Sequence, residues 1–460
     1  MKEKFNVIII GGGPAGTTAA LTLAQRGMKN VVLLERGKYP GSKNVMGGVI
    51  LTTILNKIIP DFWGKGAPVE RNVSKRCFAL LSPESETFFS FKNNEFNRPP
   101  YNNIFTVLRA KFDKWFAEEA EKAGVTLLCN SVVDELIKDE NGKVVGVQTR
   151  VAGGTSKEEG QIFADVVICA EGANSTIALK EGMREKFDEH FMAVAVKEVI
   201  ELPAKVIEDR FHLEGNEGTA FEFYGDAVQG LHGSGFLYTN KTSISIGIGV
   251  VISDIMKAKL NPNDILDHFK NHPCIRPLLR GGKTLEYAAH MIPEGGYKKI
   301  PKLVKDGLLL VGDAAGFINT SPLHEGSNLA MASGIMAAET ILEAKEKNDF
   351  SSVTLSNYVS KLENSFVFKD MKKYSEVPEV LSKSPELFNK WPKELANILT
   401  EVFTISETPK EIVEEKIMNK FNDGIGAIPF AIKMVQLRNA MKSFYYGFSK
   451  KITDFVATHW

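Results

Sequence analysis

Val7-Ile8-Ile9-Ile10-Gly11-Gly12-Gly13-Pro14-Ala15-Gly16 is the run on which the fold turns. Its apolar half reads as a short buried strand over residues 5–10, and residues 15–26 read as a helix. Between them stands G-x-G-x-x-G. Gly11 allows the tight turn, Gly13 lets the backbone approach a pyrophosphate, and Gly16 lets the helix pack closely on the strand. Pro14 and Ala15 open the helix, whose free N–H groups and positive dipole end face the phosphates. Residues 31–34 form a second buried strand closed by Glu35, 19 residues beyond Gly16, where a carboxylate can accept hydrogen bonds from ribose hydroxyls. The combination predicts a dinucleotide-binding βαβ unit, with Arg36 beside it as a further contact. FAD and NAD stay open at this point. Glu35 would repel the 2′-phosphate of NADP.

A chain of 460 residues can bury two or three domain cores. Its 43% hydrophobic and 24% charged content suits a globular enzyme. Lys plus Arg balances Asp plus Glu at 56 each, which argues against a nucleic-acid partner. Residues 1–4 run straight into the first strand, leaving no room for a signal peptide, and no run reaches the roughly 18 apolar residues of a spanning helix. The expected place is the cytoplasm, or a membrane surface without crossing it. Cys77, Cys129, Cys169 and Cys274 are widely spaced, so isolated thiols are expected and no metal ligand set.

Along the chain, residues 109–122 place Phe112, Trp115, Phe116 and Ala120 at helical spacing. Strands are expected at 125–129 and 144–149, the second entered from Asn141-Gly142, and an apolar strand at 165–170 ends in Glu171-Gly172. Residues 191–251 change character and suggest antiparallel strands in a separate sheet. Residues 308–311 return to the buried-strand pattern, a helix follows over about 326–345, and beyond 351 the chain reads as mainly helical. The expected architecture is α/β: a discontinuous nucleotide-binding domain (1–80, 105–188 and 301–350), a β-rich substrate domain (81–104 and 189–300) and a helical C-terminal region (351–460).

Two later segments point to FAD. Leu308-Leu309-Leu310-Val311-Gly312-Asp313 is a buried strand ending in Gly-Asp, and a carboxylate there could hold a ribityl chain. Glu325-Gly326-Ser327-Asn328 opens the long helix, whose N-terminus can stabilise negative charge at the N1–C2=O edge of a reduced flavin. The helix alone would serve core packing equally well. With the first loop and Asp313 it points to a flavin.

At these residues the chain resembles the glutathione-reductase-type FAD superfamily, within the group of hydroxylases, geranylgeranyl reductases and electron-transfer-flavoprotein:quinone oxidoreductases. Val107-Leu108-Arg109 matches the segment whose arginine reaches the cofactor's phosphate or ribose, and Val133 and Gly172 fall among the implied contacts. Ala170-Glu171-Gly172-Ala173-Asn174-Ser175 carries Glu where hydroxylases carry Asp, which weakens a hydroxylase reading. The narrower resemblance is to the FixC/EtfC branch. It rests on residues 40–48, on Glu201-Leu202-Pro203 with residues 206–211, on residues 235–240 and on Gly281-Gly282-Lys283, spread over about residues 5–405. It implies that Lys43, Asn44, Val45, Gly47 and Gly48 line the isoalloxazine, where a glycine-rich loop bearing a lysine can approach closely and oppose reduced charge.

The resemblance implies electron transfer from a two-subunit electron-transfer flavoprotein to a membrane quinone, menaquinone or ubiquinone. No second glycine loop follows the first, since Gly247-Ile248-Gly249 lies inside a strand pattern. Electrons are therefore expected from a protein or a transiently bound nicotinamide. Single-chain members carry a cysteine-ligated [4Fe–4S] cluster near their C-terminus, but here no cysteine follows Cys274, so a small separate ferredoxin-like [4Fe–4S] subunit is the expected relay. In that branch the assembly can bifurcate electrons from NADH. His324-Glu325 could deliver protons, or simply end a loop. Residues 425–460 mix aromatic, aliphatic and basic side chains with Asp454 as their one acid, which fits docking on the cytoplasmic face of a membrane or a cap on a partner. A geranylgeranyl-reductase-like or hydroxylase-like enzyme, and a non-catalytic flavin-bearing scaffold, are the other readings.

Overall fold

The computed structural model describes residues 4–43, 46–150, 160–185, 188–320 and 324–440. Lys4–Ile10 and Val31–Leu34 pair in parallel around the helix Pro14–Gln25. Thr126–Leu128 adds beyond Val31–Leu34, while Gln161–Cys169 and then Leu308–Leu310 add on the other side, all in parallel. Such strands are covered on both faces, which is why they read as unbroken apolar runs rather than alternating ones. Val7, Ile8, Ile9, Val32, Leu33, Val167, Ile168 and Leu309 are fully buried. Val132–Lys138 and Val144–Arg150 form a hairpin whose second strand runs antiparallel to Gln161–Cys169.

The long helix Ser327–Glu346 packs directly on Pro14–Gln25. Their approach is closest at Gly334, where a Cβ would stand 2.4 Å from the Ala15 carbonyl oxygen. Only a residue without a side chain fits there.

The second sheet runs in the order Lys283–Pro293, Met192–Glu201, Ser243–Val251, Gly233–Thr239, Glu217–Gly225, Val69–Ser82, Ile104–Val107 and Val49–Leu51. It is antiparallel except at one seam, where Glu217–Gly225 runs parallel to Val69–Ser82. It also draws in Val49–Leu51, Val69–Ser82 and Ile104–Val107, from residues assigned above mostly to the nucleotide-binding part. Arg71 closes the end of the seam, only 2% exposed. Its guanidinium donates to the carbonyls of Gly215 (2.8 Å), Glu217 (3.0 Å), Asn240 (2.8 Å) and Lys241 (3.2 Å), and to Glu208 (3.3 Å).

Side chains alternate across this sheet. Phe221, Phe223, Leu237, Ile246 and Ile248 turn to one face, where they pack with Ile265 and Phe269 of the helix Pro262–Asn271. Their neighbours in sequence face the other way, toward the first sheet. The chain beyond residue 351 is helical throughout its described part, to Ala427–Ala440.

Candidate functional site

The strand order reverses between Lys4–Ile10 and Gln161–Cys169, and open parallel sheets bind ligands beyond the strand ends at such a point. The three glycines divide the work there. A Cβ on Gly11 (φ +107°) would sit 2.3 Å from the Ala170 carbonyl oxygen, and one on Gly16 would sit 2.1 Å from that of Gly11. Among the described residues no neighbouring atom comes within 4 Å of the Gly13 Cβ position, and Gly13 opens on a cavity of about 830 Å³. Two glycines hold the turn tight while the third leaves room for a pyrophosphate, so the cradle fits an adenine dinucleotide. The cavity is at the upper end of the roughly 300–1,000 Å³ usual for ligand sites.

Most of the residues expected at a cofactor reach this cavity: Gly11, Gly13, Pro14, Ala15, Glu35, Arg36, Lys43, Gly47, Gly48, Arg109, Val133, Gly172, Asp313, Gly326 and Ser327. Gly16, Gly312 and Asn328 stand behind its wall. A Cβ on Gly312 would meet that of Ala15 at 2.8 Å, and the Asn328 amide oxygen accepts the Ile54 N–H at 3.3 Å. Asn44 and Val45 lie outside the described residues.

Several of these side chains also hold the protein to itself. Glu35 accepts the backbone N–H of Gly12 (3.1 Å) and of Gly37 (2.6 Å), so it shapes both loops around the expected ribose. Arg109 spans the Asp113 carboxylate (2.8 and 2.7 Å) and donates to the Met46 carbonyl at 3.0 Å. Lys197, fully buried, donates to the next carbonyl, that of Gly47, at 3.3 Å and pairs with Glu286 at 3.3 Å. Burial lowers its ammonium pKa, against the pull of Glu286. Two cations thus anchor consecutive carbonyls of the loop expected at the isoalloxazine. Gly48 in that loop has no room for a side chain, because a Cβ would stand 2.7 Å from the Tyr238 ring. Asp313 is held above the usual carboxylate range by burial, which Arg109 and Arg184 only partly offset.

Glu171 explains its departure from the hydroxylase pattern. Its carboxylate accepts the N–H groups of Ile177 (2.8 Å) and Ala178 (3.1 Å) and the Thr176 hydroxyl (2.9 Å), capping the helix Thr176–Lys180.

The opposite wall of the cavity is the inward face of the second sheet. Ala195, Phe236, Tyr238, Gly249 and Ile292 make it mostly apolar, and the Phe236 and Tyr238 rings stack at 5.0 Å. Into it project Arg76, Glu222, Tyr224, His290 and Glu294. Sequence reasoning missed them and Lys197. Strict alternation was the available signal: with Phe221 and Phe223 in the core, Glu222 and Tyr224 must face the other side. His290 is lowered to about 4 by burial, with Arg109 and Arg36 adding to the effect. The pair His324-Glu325 divides: His324 faces the cavity, whereas Glu325 turns back to form a backbone bridge with Asn319. The C-terminal helices roof the space with Val377, Leu381, Leu387, Phe388 and Leu437.

The chain matches three family models: FAD dependent oxidoreductase over residues 6–172, ETF-QO ubiquinone-binding over 192–292, and the ETF-QO/FixC family C-terminal domain over 377–442. It is 44% identical to Protein FixC of Azorhizobium caulinodans, over 91% of this chain and 94% of that protein. It is 43% identical to the probable electron transfer flavoprotein-quinone oxidoreductase YdiS of Escherichia coli K12, over 90% and 94%. Among solved structures it resembles a geranylgeranyl bacteriochlorophyll reductase-like protein from Thermoplasma acidophilum, with TM-score 0.69, 22% identity and 94% and 99% of the two chains covered. It also resembles the flavin-dependent brominase Bmp2, with TM-score 0.62, 17% identity and 95% and 99% covered. At these identities the structural likeness speaks to the fold alone.

Proposed function

Because the chain belongs to the ETF-QO/FixC family of FAD-dependent oxidoreductases and takes FAD as its cofactor, we propose that it passes electrons from a two-subunit electron-transfer flavoprotein to a quinone. The observation that carries this reading is a single cavity bounded by the nucleotide cradle on one side and a largely apolar sheet face on the other. A cofactor held by the first wall meets a flat quinone ring lying on the second. Bound FAD supplies the redox chemistry. The residues of this chain would hold its phosphates (residues 11–15), its ribose (Glu35), its ribityl chain (Asp313) and the loop over its ring, and the apolar wall and helical roof would cover the reacting pair. The C-terminal helices extend that cover toward the surface, where a prenyl tail leaves.

A ferredoxin-like [4Fe–4S] subunit relays the electrons in this reading, since none of Cys77, Cys129, Cys169 and Cys274 lies near another in sequence. The assembly uses NADH and splits its electrons between two acceptors. Among the described residues no helix is long and apolar enough to cross a membrane. Of the segment expected at a membrane, residues 441–460 lie outside the described residues; docking on a bilayer surface draws on exposed apolar side chains among the described ones, Ile428, Ile432 and Val435 of that segment, Phe88, Phe89 and Phe91 on the strand Ser85–Lys92, and Val402 and Phe403 on the helix packed against it.

The test is anaerobic reduction of the FAD-loaded protein followed by stopped-flow mixing with soluble ubiquinone and menaquinone analogues. Rapid flavin reoxidation by one of them, with the two flavoprotein subunits co-purifying from the native source, is the expected result. No reoxidation by any quinone, together with turnover of an isoprenoid double bond, would replace this reading with a prenyl-reductase one.

A further inference from the structure

Four side chains meet on the second-sheet wall of the cavity in a way that packing does not require. Arg76 of Val69–Ser82 and Glu222 of Glu217–Gly225 face each other across the parallel seam, with Arg76 Nη2 donating to Glu222 at 2.8 Å. The second Glu222 oxygen accepts the Tyr224 hydroxyl at 3.1 Å and stands 3.7 Å from His324 Nδ1. The Glu222 side chain is 11% exposed, whereas His324, projecting into the cavity, keeps 44% of its side-chain surface accessible. Apolar side chains of similar volume could line the same wall without the desolvation cost of buried charge. A carboxylate held by Arg76 and Tyr224 and turned toward a histidine is instead an arrangement for keeping that histidine charged.

We propose that His324 is the acid that protonates the quinone oxygens during reduction, and that Glu222 is the positioning residue that keeps its imidazole charged. The assignment rests on the quinone reading above. In each transfer an imidazolium N–H bond breaks and an O–H bond forms on the quinone. The two electrons are those delivered to FAD by the electron-transfer flavoprotein. The imidazole then takes a new proton from water reaching its accessible side. Two transfers complete the conversion of quinone plus two electrons and two protons to quinol.

The surrounding charges favour this role. Burial pushes the His324 imidazolium down, but Glu222 and Glu294 outweigh it against Arg76 and hold the group above its ordinary value. Burial likewise pushes Glu222 up, and His324, Arg76 and Tyr224 bring it below the ordinary range. Among the described residues, His232 and Tyr238 are the other titratable groups facing the pair. The imidazolium therefore persists through the ordinary histidine range and is lost only as pH rises through its raised value. Quinone reduction should fall with that loss.

The experiment compares two acceptors for the dithionite-reduced, FAD-loaded protein: a soluble ubiquinone analogue, which needs protons, and ferricenium, which takes one electron and no proton. For His324→Gln we expect flavin reoxidation by the quinone to slow roughly 10²–10⁴-fold, the range of general acid catalysis. Ferricenium should still reoxidise it at the wild-type rate, with FAD content unchanged. For Glu222→Gln the fall in quinone reduction should move to lower pH, because the anion that raises the histidine is gone. Two results would overturn the proposal: quinone rates and pH profile unchanged in His324→Gln, or equal losses with both acceptors. Wild-type protein that reacts with ferricenium but with no quinone removes the quinone reading and this assignment together.

Discussion

Glu35 illustrates how much one side chain can do at the edge of a cofactor. It was expected to hold a ribose, and it reaches the cavity, yet both of its oxygens already accept backbone N–H groups from Gly12 and Gly37. Each carboxylate oxygen has a further lone pair, so ribose binding and loop shaping are compatible. Glu35→Ala removes both. We expect it to weaken FAD retention about 10–100-fold, on the scale of one lost hydrogen bond to a charged group, while the far-ultraviolet spectrum stays unchanged. FAD release followed by fluorescence measures this, and undiminished occupancy would remove Glu35 from the site. His324 and Glu325 show the converse. As sequence neighbours they looked interchangeable as proton donors, but the positive φ at His324 (+46°) and the bridge between Asn319 and Glu325 send them in different directions.

At the scale of elements, local rules carried the first strand, the glycine loop and the helices Pro14–Gln25 and Arg109–Lys122, because strand, turn and helix are each written in a few adjacent residues. The second sheet was only half legible. Its antiparallel members at 191–251 announced themselves, but the seam joining Glu217–Gly225 to Val69–Ser82 is parallel, so no turn between the two strands marks it. Nor does any local pattern say that Arg71 sits under that seam saturating four carbonyls. Gly215, Asn240 and Lys241 lie outside the strands and Glu217 is the first residue of its own, so the guanidinium takes up carbonyls where the ladder ends. Arg71→Met keeps the volume and removes the donors. We expect a loss of about 3–5 kcal/mol, the cost of stranding buried polar groups, read as a lower denaturant midpoint. A change below about 1 kcal/mol would show that the seam holds without it.

For the whole molecule, the cavity lies between two apolar cores. One gathers the first sheet with its helices and the second-sheet strands Val49–Leu51 and Ile104–Val107, and the other gathers the outer face of the second sheet with the helix Pro262–Asn271. A ligand gripping both walls stabilises the native state by mass action, by about 4 kcal/mol at a thousand times its dissociation constant. Stripping FAD should therefore lower the melting temperature in calorimetry, and restoring FAD should raise it again. An apo-protein that melts at the holo temperature would contradict this. The contact between Gly334 and Ala15 adds a consequence in time rather than in space. Helix Pro14–Gln25 leaves the ribosome well before the helix that covers it, which is complete only after residue 346 has been added. Until then the first sheet also lacks Leu308–Leu310, and its apolar flank waits through the synthesis of the entire second sheet. Non-local closure of this kind is slow and exposes sticky surface. Ribosome-bound chains ending before residue 346 should therefore be cut by protease within residues 14–25 faster than longer ones, and equal rates would show that the flank is covered some other way.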